Sequence, residues 1–239
     1  MPDASHEIVL VTPVWNDAAR LEAFGPELAA ALASADLPIR WVIADDGSTN
    51  DEQARLIALH EKFSQIYPQV FLHHAREHRG KGSVIREAWA LMPDAACFAF
   101  VDADGSVSAR DLMGLLRTAL DAGVSVLGVR RSTASTRVEM GAWRGLVHRA
   151  YRWLVRVMLD LHSDDPQCGV KVILGNDYRR VVGGLRENGF SFDTELLTRL
   201  AKAGCRWREI PVSWTQKKRG KVRPFRDAWG MMAALWRQR

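Results

Sequence analysis

The sequence predicts an α/β domain built around a mainly parallel sheet, and two observations carry that expectation. Short β-rich, mostly apolar runs alternate with segments of helical periodicity through five strands, from Glu7 to Arg130. Two of the runs stop abruptly at paired acids and a turn. Trp41-Val42-Ile43-Ala44 leads into Asp45-Asp46-Gly47-Ser48-Thr49, and Phe98-Ala99-Phe100-Val101 leads into Asp102-Ala103-Asp104-Gly105-Ser106. In a sheet of this kind, right-handed crossovers bring such strand ends to one edge, where ligands bind.

A chain of 239 residues is long enough for a full core, and no linker or internal repeat divides it. Its 47% apolar and 26% charged content is that of a folded soluble protein and not of a disordered one. The formal charge of +5 suits an anionic partner: nucleic acid, a sugar nucleotide or an anionic lipid surface. Cys97, Cys168 and Cys205 stand far apart with no Cys-x-x-Cys pair and no His at zinc spacing, as expected for reduced thiols in the cytosol. Met1 to Glu7 lacks a signal pattern, and no apolar run approaches the roughly 18–20 residues that span a bilayer. The chain is expected to sit on a membrane at most, not to cross one.

Taken in order, Glu7 to Trp15 is a strand ending in Thr12-Pro13-Val14-Trp15-Asn16-Asp17, with Asp17 placed to cap the helix that follows. Leu21, Phe24, Leu28, Ala31 and Leu32 give that helix its apolar stripe. The 41–44 strand is followed by a helix facing inward with Leu56, Leu59, His60 and Phe63, and then by a strand from Val70 to His74. Arg76-Glu77-His78-Arg79-Gly80-Lys81-Gly82-Ser83 is a glycine-interrupted basic loop opening a helix near Ser83. Glycines let a backbone approach a phosphate and helix N-termini favour anions, although a plain basic turn has the same composition. Cys97 to Val101 is the fourth strand. Asp102 and Asp104, at i and i+2 of an extended chain, point to one side and can share a hard divalent cation such as Mg2+ or Mn2+; a solvated acidic turn would look the same. A helix from Ala109 to Ala122 and a strand from Val124 to Arg130 complete the alternation.

Beyond Arg130 the texture changes. Trp143 to Leu161 reads as a long amphipathic helix with Val147, Tyr151, Leu154, Met158 and Leu161 as its stripe. Arg144, Arg149, Arg152 and Arg156 stand against one acid, Asp160. Such a helix either lies on an anionic membrane or packs its stripe inward and leaves the arginines in water. A loop through Asp164-Asp165-Pro166-Gln167-Cys168-Gly169 enters a strand at Val170 to Leu174, and Phe190 to Leu197 opens another helix with acids in its first turn. Arg208 to Trp214 reads as an edge strand that tolerates Pro211. Lys217 to Arg226 carries six Lys or Arg and no acid, and Asp227 to Arg239 is helical in pattern, with Trp229 and Trp236.

Together these motifs resemble the family 2 glycosyltransferases, and among them the polyprenyl-phosphate sugar synthases typified by dolichyl-phosphate mannose and glucose synthases. The resemblance runs from residue 7 to 223. It rests on Pro13-Val14-Trp15-Asn16-Asp17, Asp45-Asp46-Gly47-Ser48, Arg79-Gly80-Lys81-Gly82, Asp102-Ala103-Asp104 and Gly128-Val129-Arg130. Most specific are Asp165-Pro166-Gln167-Cys168-Gly169-Val170-Lys171 and Phe192-Asp193-Thr194-Glu195-Leu196-Leu197. Trp15 and Asp17 replace the usual Tyr and Glu, and Ser106 stands where many relatives carry Gln near the metal.

The resemblance implies a single-domain, Rossmann-like nucleotide-diphospho-sugar transferase fold of GT-A type over residues 1–223, with 224–239 a C-terminal amphipathic helix available to a membrane. It implies inverting transfer of a hexose from a UDP- or GDP-hexose to a polyprenyl phosphate, with Mg2+ or Mn2+ on Asp102 and Asp104. Pro13, Trp15, Asp17 and Asp46 would line the nucleoside site, with Lys81 near the base or phosphate and Lys221 folding over the phosphates. Arg130, Arg144 and His148 would hold the acceptor phosphate, and Gln167 and Asp193 would line the sugar pocket. The enzyme would work on the cytoplasmic face of the membrane. The rival within the fold is transfer to a glycan hydroxyl, with Asp193 or Asp165 as general base. Nucleic acid is not an expected partner, because acidic strand ends would repel its phosphates.

Overall fold

A computed structural model of the chain describes residues 7–217 and Trp236, except for the Arg144 side chain. The central sheet has seven strands: β1 (Ile8–Val14), β2 (Ile39–Asp45), β3 (Val70–His74), β4 (Cys97–Val101), β5 (Ser125–Arg130), β7 (Val170–Leu174) and β8 (Trp207–Val212). Their order is β3-β2-β1-β4-β7-β5-β8. All neighbours run parallel except β7, which is antiparallel to both β4 and β5. A two-residue strand β6 (Val138–Glu139) pairs with β9 (Trp214–Thr215) beside the sheet.

Alternation explains the layers. Ile8 and Leu10 face one core while Val9 and Val11 face the other, so β1 is apolar on both sides. Helices α1 (Ala18–Ala33), α2 (Asn50–Ser64) and α4 (Ala109–Ala122) cover the first face through Leu21, Leu28, Leu56, Phe63, Leu112 and Leu116. Helices α3 (Lys81–Ala90), α5 (Ala142–Leu159), α6 (Gly175–Val181) and α7 (Phe192–Lys202) cover the second through Val84, Trp89, Tyr151, Tyr178 and Leu196. Leu56, Leu59 and Phe63 are buried as expected, and the partly buried His60 instead meets the Val70 carbonyl. The edge strand β8 accommodates Pro211.

Three expectations are corrected. Asp17 sits at the N-cap of α1 but its side chain caps nothing; Glu52 accepts the Ala18 N–H instead at 2.8 Å. Helix α3 begins at Lys81, two residues before Ser83, because Gly80 takes φ 116° and turns the chain there. The stripe predicted for α5 packs inward at Tyr151, Leu154, Met158 and Leu161 as expected, joined by the buried Val155 and Leu159, but Val147 is exposed. Inserting β7 antiparallel was not legible in the sequence. Its consequence is local: the 165–169 loop arrives at the same edge as the end of β4, and the Asp102 N–H donates to the Gly169 carbonyl at 2.9 Å. A Cβ on Gly169 would stand 2.1 Å from Asp102 Oδ2, so only glycine permits that approach.

Candidate active site

The strand ends converge as the alternation predicts. Two reciprocal bonds lock the β1–α1 turn to the β2–α2 turn: Asn16 N–H to Ser48 Oγ and Thr49 N–H to Asn16 Oδ1, both 2.8 Å. Pro13, Trp15, Asp17 and Asp46 therefore share one corner. Asp46 is buried, and its carboxylate accepts the Arg79 and Gly80 N–H groups at 2.9 and 2.8 Å, with His78 Nδ1 at 2.7 Å. Those amide donors, expected to face a phosphate, are thus held by a carboxylate of the chain itself. Burial raises the Asp46 pKa, and the two amides and His78 oppose it. The Trp15 ring stacks on His78 at 3.9 Å and 10° between planes, forming an aromatic wall beside Asp46.

Between β4 and α7 runs a chain of four charges. Lys81 Nζ lies 2.9 Å from Asp102 Oδ1 and 3.2 Å from Asp193 Oδ2. Asp193 Oδ1 then meets Lys171 Nζ at 2.7 Å, and Lys171 also donates to the Cys168 carbonyl. Both ammonium groups sit over the Phe100 ring, at 4.7 and 5.3 Å. Lys171 is fully buried and Asp193 almost so. Burial alone would raise Asp193, but the two lysines hold it below the usual carboxylate range. Desolvation likewise works against the Lys81 ammonium, yet Asp102 and Asp193 hold it charged well above the usual lysine range. Lys171 ends one of the motifs quoted above, but no role was expected of it there. Its signal was a lysine inside an otherwise apolar strand, which demands a buried anion.

A second ion pair anchors the 164–169 loop. Arg130 grips Asp165 through Nε and Nη2 at 2.6 and 2.7 Å, His148 Nε2 adds a bond at 2.8 Å, and the Trp214 ring lies 5.5 Å from the guanidinium. Asp165 is buried, which would raise its pKa; the bonds from Arg130 and His148 overcome that and leave it far below the usual range. A carboxylate depressed in the fold contributes stability above its unfolded pKa of about 3.9 and loses it as pH falls through the folded value. The melting temperature is therefore expected to fall steeply below about pH 4. The same scan on Asp165→Asn should show a lower melting temperature at pH 7 and a shallower acid limb; an unchanged limb would remove Asp165 from the acid response.

Asp104 lies in the turn after β4: its Oδ1 accepts the Ser106 N–H at 2.9 Å, and Arg20 of α1 approaches its Oδ2 at 4.0 Å. Gln167 is half-buried in the anchored loop. Lys221 and the 224–239 segment lie outside the described residues apart from Trp236, which is exposed. Among the described residues no cluster of three or more His, Cys, Asp or Glu is gathered for a metal. The residues at the strand end still suit a hard divalent ion. Asp102 and Asp104 offer carboxylate oxygens at a partly open turn, and Ser106 Oγ is buried without a hydrogen-bond partner. A diphosphate supplies further oxygens to such a cation.

The seven-stranded, mostly parallel sheet with helices on both faces, with carboxylates just after β1, β2 and β4 and Lys81 at the start of α3, has the architecture of the GT-A class of nucleotide-sugar transferases. The sequence profile of glycosyl transferase family 2 matches residues 9–168, and the chain belongs to that family. It is 26% identical over 238 residues to glycosyltransferase AglD of Haloferax volcanii, covering 98% of this chain and 37% of that protein. It is 27% identical over 199 residues to the dolichyl-phosphate beta-glucosyltransferase of Saccharomyces cerevisiae, covering 77% and 59%. The chain thus spans less than two thirds of either relative. In fold it is similar to glucosyl-3-phosphoglycerate synthase from Mycobacterium tuberculosis, solved with Mn2+, UDP and phosphoglyceric acid. The TM-score is 0.70 at 17% identity, over 98% of this chain and 78% of that one. The mannosyltransferase PcManGT from Pyrobaculum calidifontis, solved with GDP-Man and Mn2+, gives 0.62 at 19% identity, over 92% and 60%.

Proposed function

We propose that the enzyme transfers a hexose, with inversion, from a UDP- or GDP-hexose to a polyprenyl phosphate at a membrane surface. The observation that carries this reading is the engagement of both candidate bases. Asp193 is held by two lysines and Asp165 by an arginine and a histidine, and both are buried. A sugar hydroxyl acceptor needs a base to take its proton, whereas a phosphate acceptor is already ionised near neutral pH. The likeness to dolichyl-phosphate glucosyltransferases points the same way.

Asp102 and Asp104 would hold Mg2+ or Mn2+, which when bound supplies Lewis-acid stabilisation of the leaving diphosphate. Lys81 adds its ammonium to that charge, and Lys221 would reach it from the tail. Trp15 and His78 offer a ring wall to the nucleobase, with Pro13, Asp17 and Asp46 around it. Gln167 and Asp193 line the sugar. Asp165 takes two of Arg130's five donors, so the guanidinium is oriented and keeps capacity for the acceptor phosphate beside His148 and Arg144. Arg130 is also within electrostatic reach of Asp102, which suits an acceptor brought up to a donor site.

The outer face of α5 fits the membrane part. Trp143, Leu146, Val147, Trp153 and Val157 are exposed on it beside Arg149, Arg152 and Arg156. No helix among the described residues is long and apolar enough to cross a bilayer. An exposed apolar stripe edged with arginine is the pattern of a helix lying in an anionic interface. Flotation with phosphatidylserine-containing vesicles is expected to recover the wild type and to lose most of the Trp143→Ala/Trp153→Ala double variant; equal recovery would remove α5 from the interface. Function is tested by offering UDP- and GDP-hexoses with Mn2+ or Mg2+ to a short polyprenyl phosphate and, separately, to 3-phosphoglycerate. Lipid-linked sugar is the expected product. Product only on phosphoglycerate, or none from any donor, would defeat the proposal.

A further inference from the structure

The geometry points to Lys81 as a gate that makes metal binding conditional on the nucleoside diphosphate. This inference rests on the nucleotide-sugar reading of the same site. Lys81 Nζ is bonded to Asp102, one of the two carboxylates suited to the divalent ion. An ammonium and a divalent cation on one carboxylate repel each other, so Lys81 disfavours the metal alone. A diphosphate reverses the balance, since it is attracted to the ammonium and the metal together and removes their mutual repulsion.

Three features make Lys81 suited to yielding Asp102 without leaving the site. Its second carboxylate, Asp193, is already at 3.2 Å. Asp193 is kept in place from the far side by the fully buried Lys171, which has the Cys168 carbonyl as a further fixed partner. The Phe100 ring underlies both ammonium groups, so a shift from Asp102 towards a diphosphate keeps a favourable surface beneath Lys81. Gly80 and Gly82 hold the Lys81 backbone tightly, because a Cβ at either would strike Asn188 or Phe192. The motion is therefore one of the side chain.

The test is a pair of Mn2+ titrations followed by electron paramagnetic resonance, with and without UDP or GDP, and with no acceptor present. In the wild type the nucleoside diphosphate is expected to tighten Mn2+ by about 100-fold, within the usual span of linkage between sites. Lys81→Met, shown folded by circular dichroism, should bind Mn2+ alone about 10-fold more tightly and retain a coupling of about 10-fold or less. Mn2+ binding to the variant that is no tighter than to wild type, or equal coupling in both, overturns the gate. If Lys81→Met does not fold, Lys81→Gln is read in the same way. A wild type whose Mn2+ affinity ignores both UDP and GDP overturns it without any variant. Failure to glycosylate a lipid would leave these titrations readable, and absent coupling would leave lipid transfer untouched.

Discussion

Asp193→Asn is expected to cost about 3–5 kcal/mol of folding stability, the usual cost of removing one partner from a buried ion pair. Lys171 is fully buried and finds its only charged partner among the described residues in Asp193. Asparagine keeps an acceptor oxygen but not the charge, so an ammonium is stranded in the interior. Because a domain of this kind is stable by only about 5–15 kcal/mol, the urea midpoint should fall sharply with little change in slope. The companion variant Lys171→Met/Asp193→Leu should recover part of the loss, since it removes both charges. A single variant as stable as wild type would show that the lysine does not depend on this carboxylate. The experiment also separates two roles that an activity assay alone confuses. Lost transfer in Asp193→Asn signals a general base only if the protein remains folded.

Asp102→Ala and Asp104→Ala should each lower kcat/KM by at least about 10^2–10^3-fold at saturating Mn2+, as expected for deleting an electrostatic contact made to the leaving group. Little stability should be lost. The Asp102 side chain is 44% exposed and Asp104 lies on a turn, and Lys81 retains Asp193 when Asp102 is removed. Circular dichroism and the urea midpoint should therefore match wild type. Transfer retained above a tenth of the wild-type rate in both variants would remove this pair from the chemistry.

The difference between the two predictions follows from what was legible in each residue. Asp102 and Asp104 end an uncharged apolar strand, and a strand end at the sheet's carboxyl edge is a chemical position whatever the rest of the fold does. Asp193 sits in the first turn of a helix, where an acid ordinarily just complements the dipole, and nothing local shows that it is buried between two lysines. Lys171 lies 22 residues away in sequence, on a strand whose direction the pattern did not reveal. The basic loop shows the same limit. Its composition suits a phosphate site or a plain basic turn alike, and two of its amides are held by Asp46, a partner 33 and 34 residues distant. In α5, periodicity alone marked an amphipathic helix. Only packing decided that Tyr151, Val155 and Leu159 turn inward and that Trp143 and Trp153 are left outside.

Periodicity, strand-terminal acids and motif order thus determined by themselves the α/β class, the near-complete element order and the carboxyl edge as the candidate site, because those features depend on neighbours in the chain. Which charges neutralise one another was decided by the tertiary structure alone. Ion-pair choice depends on burial and on distances of a few ångströms between segments far apart in sequence. The antiparallel entry of β7 is what sets Gly169 against Asp102 and Lys171 against Asp193. Asp102-Ala103-Asp104 could be seen at the strand end from the sequence; that one of its carboxylates is held by Lys81 could be seen only in the fold.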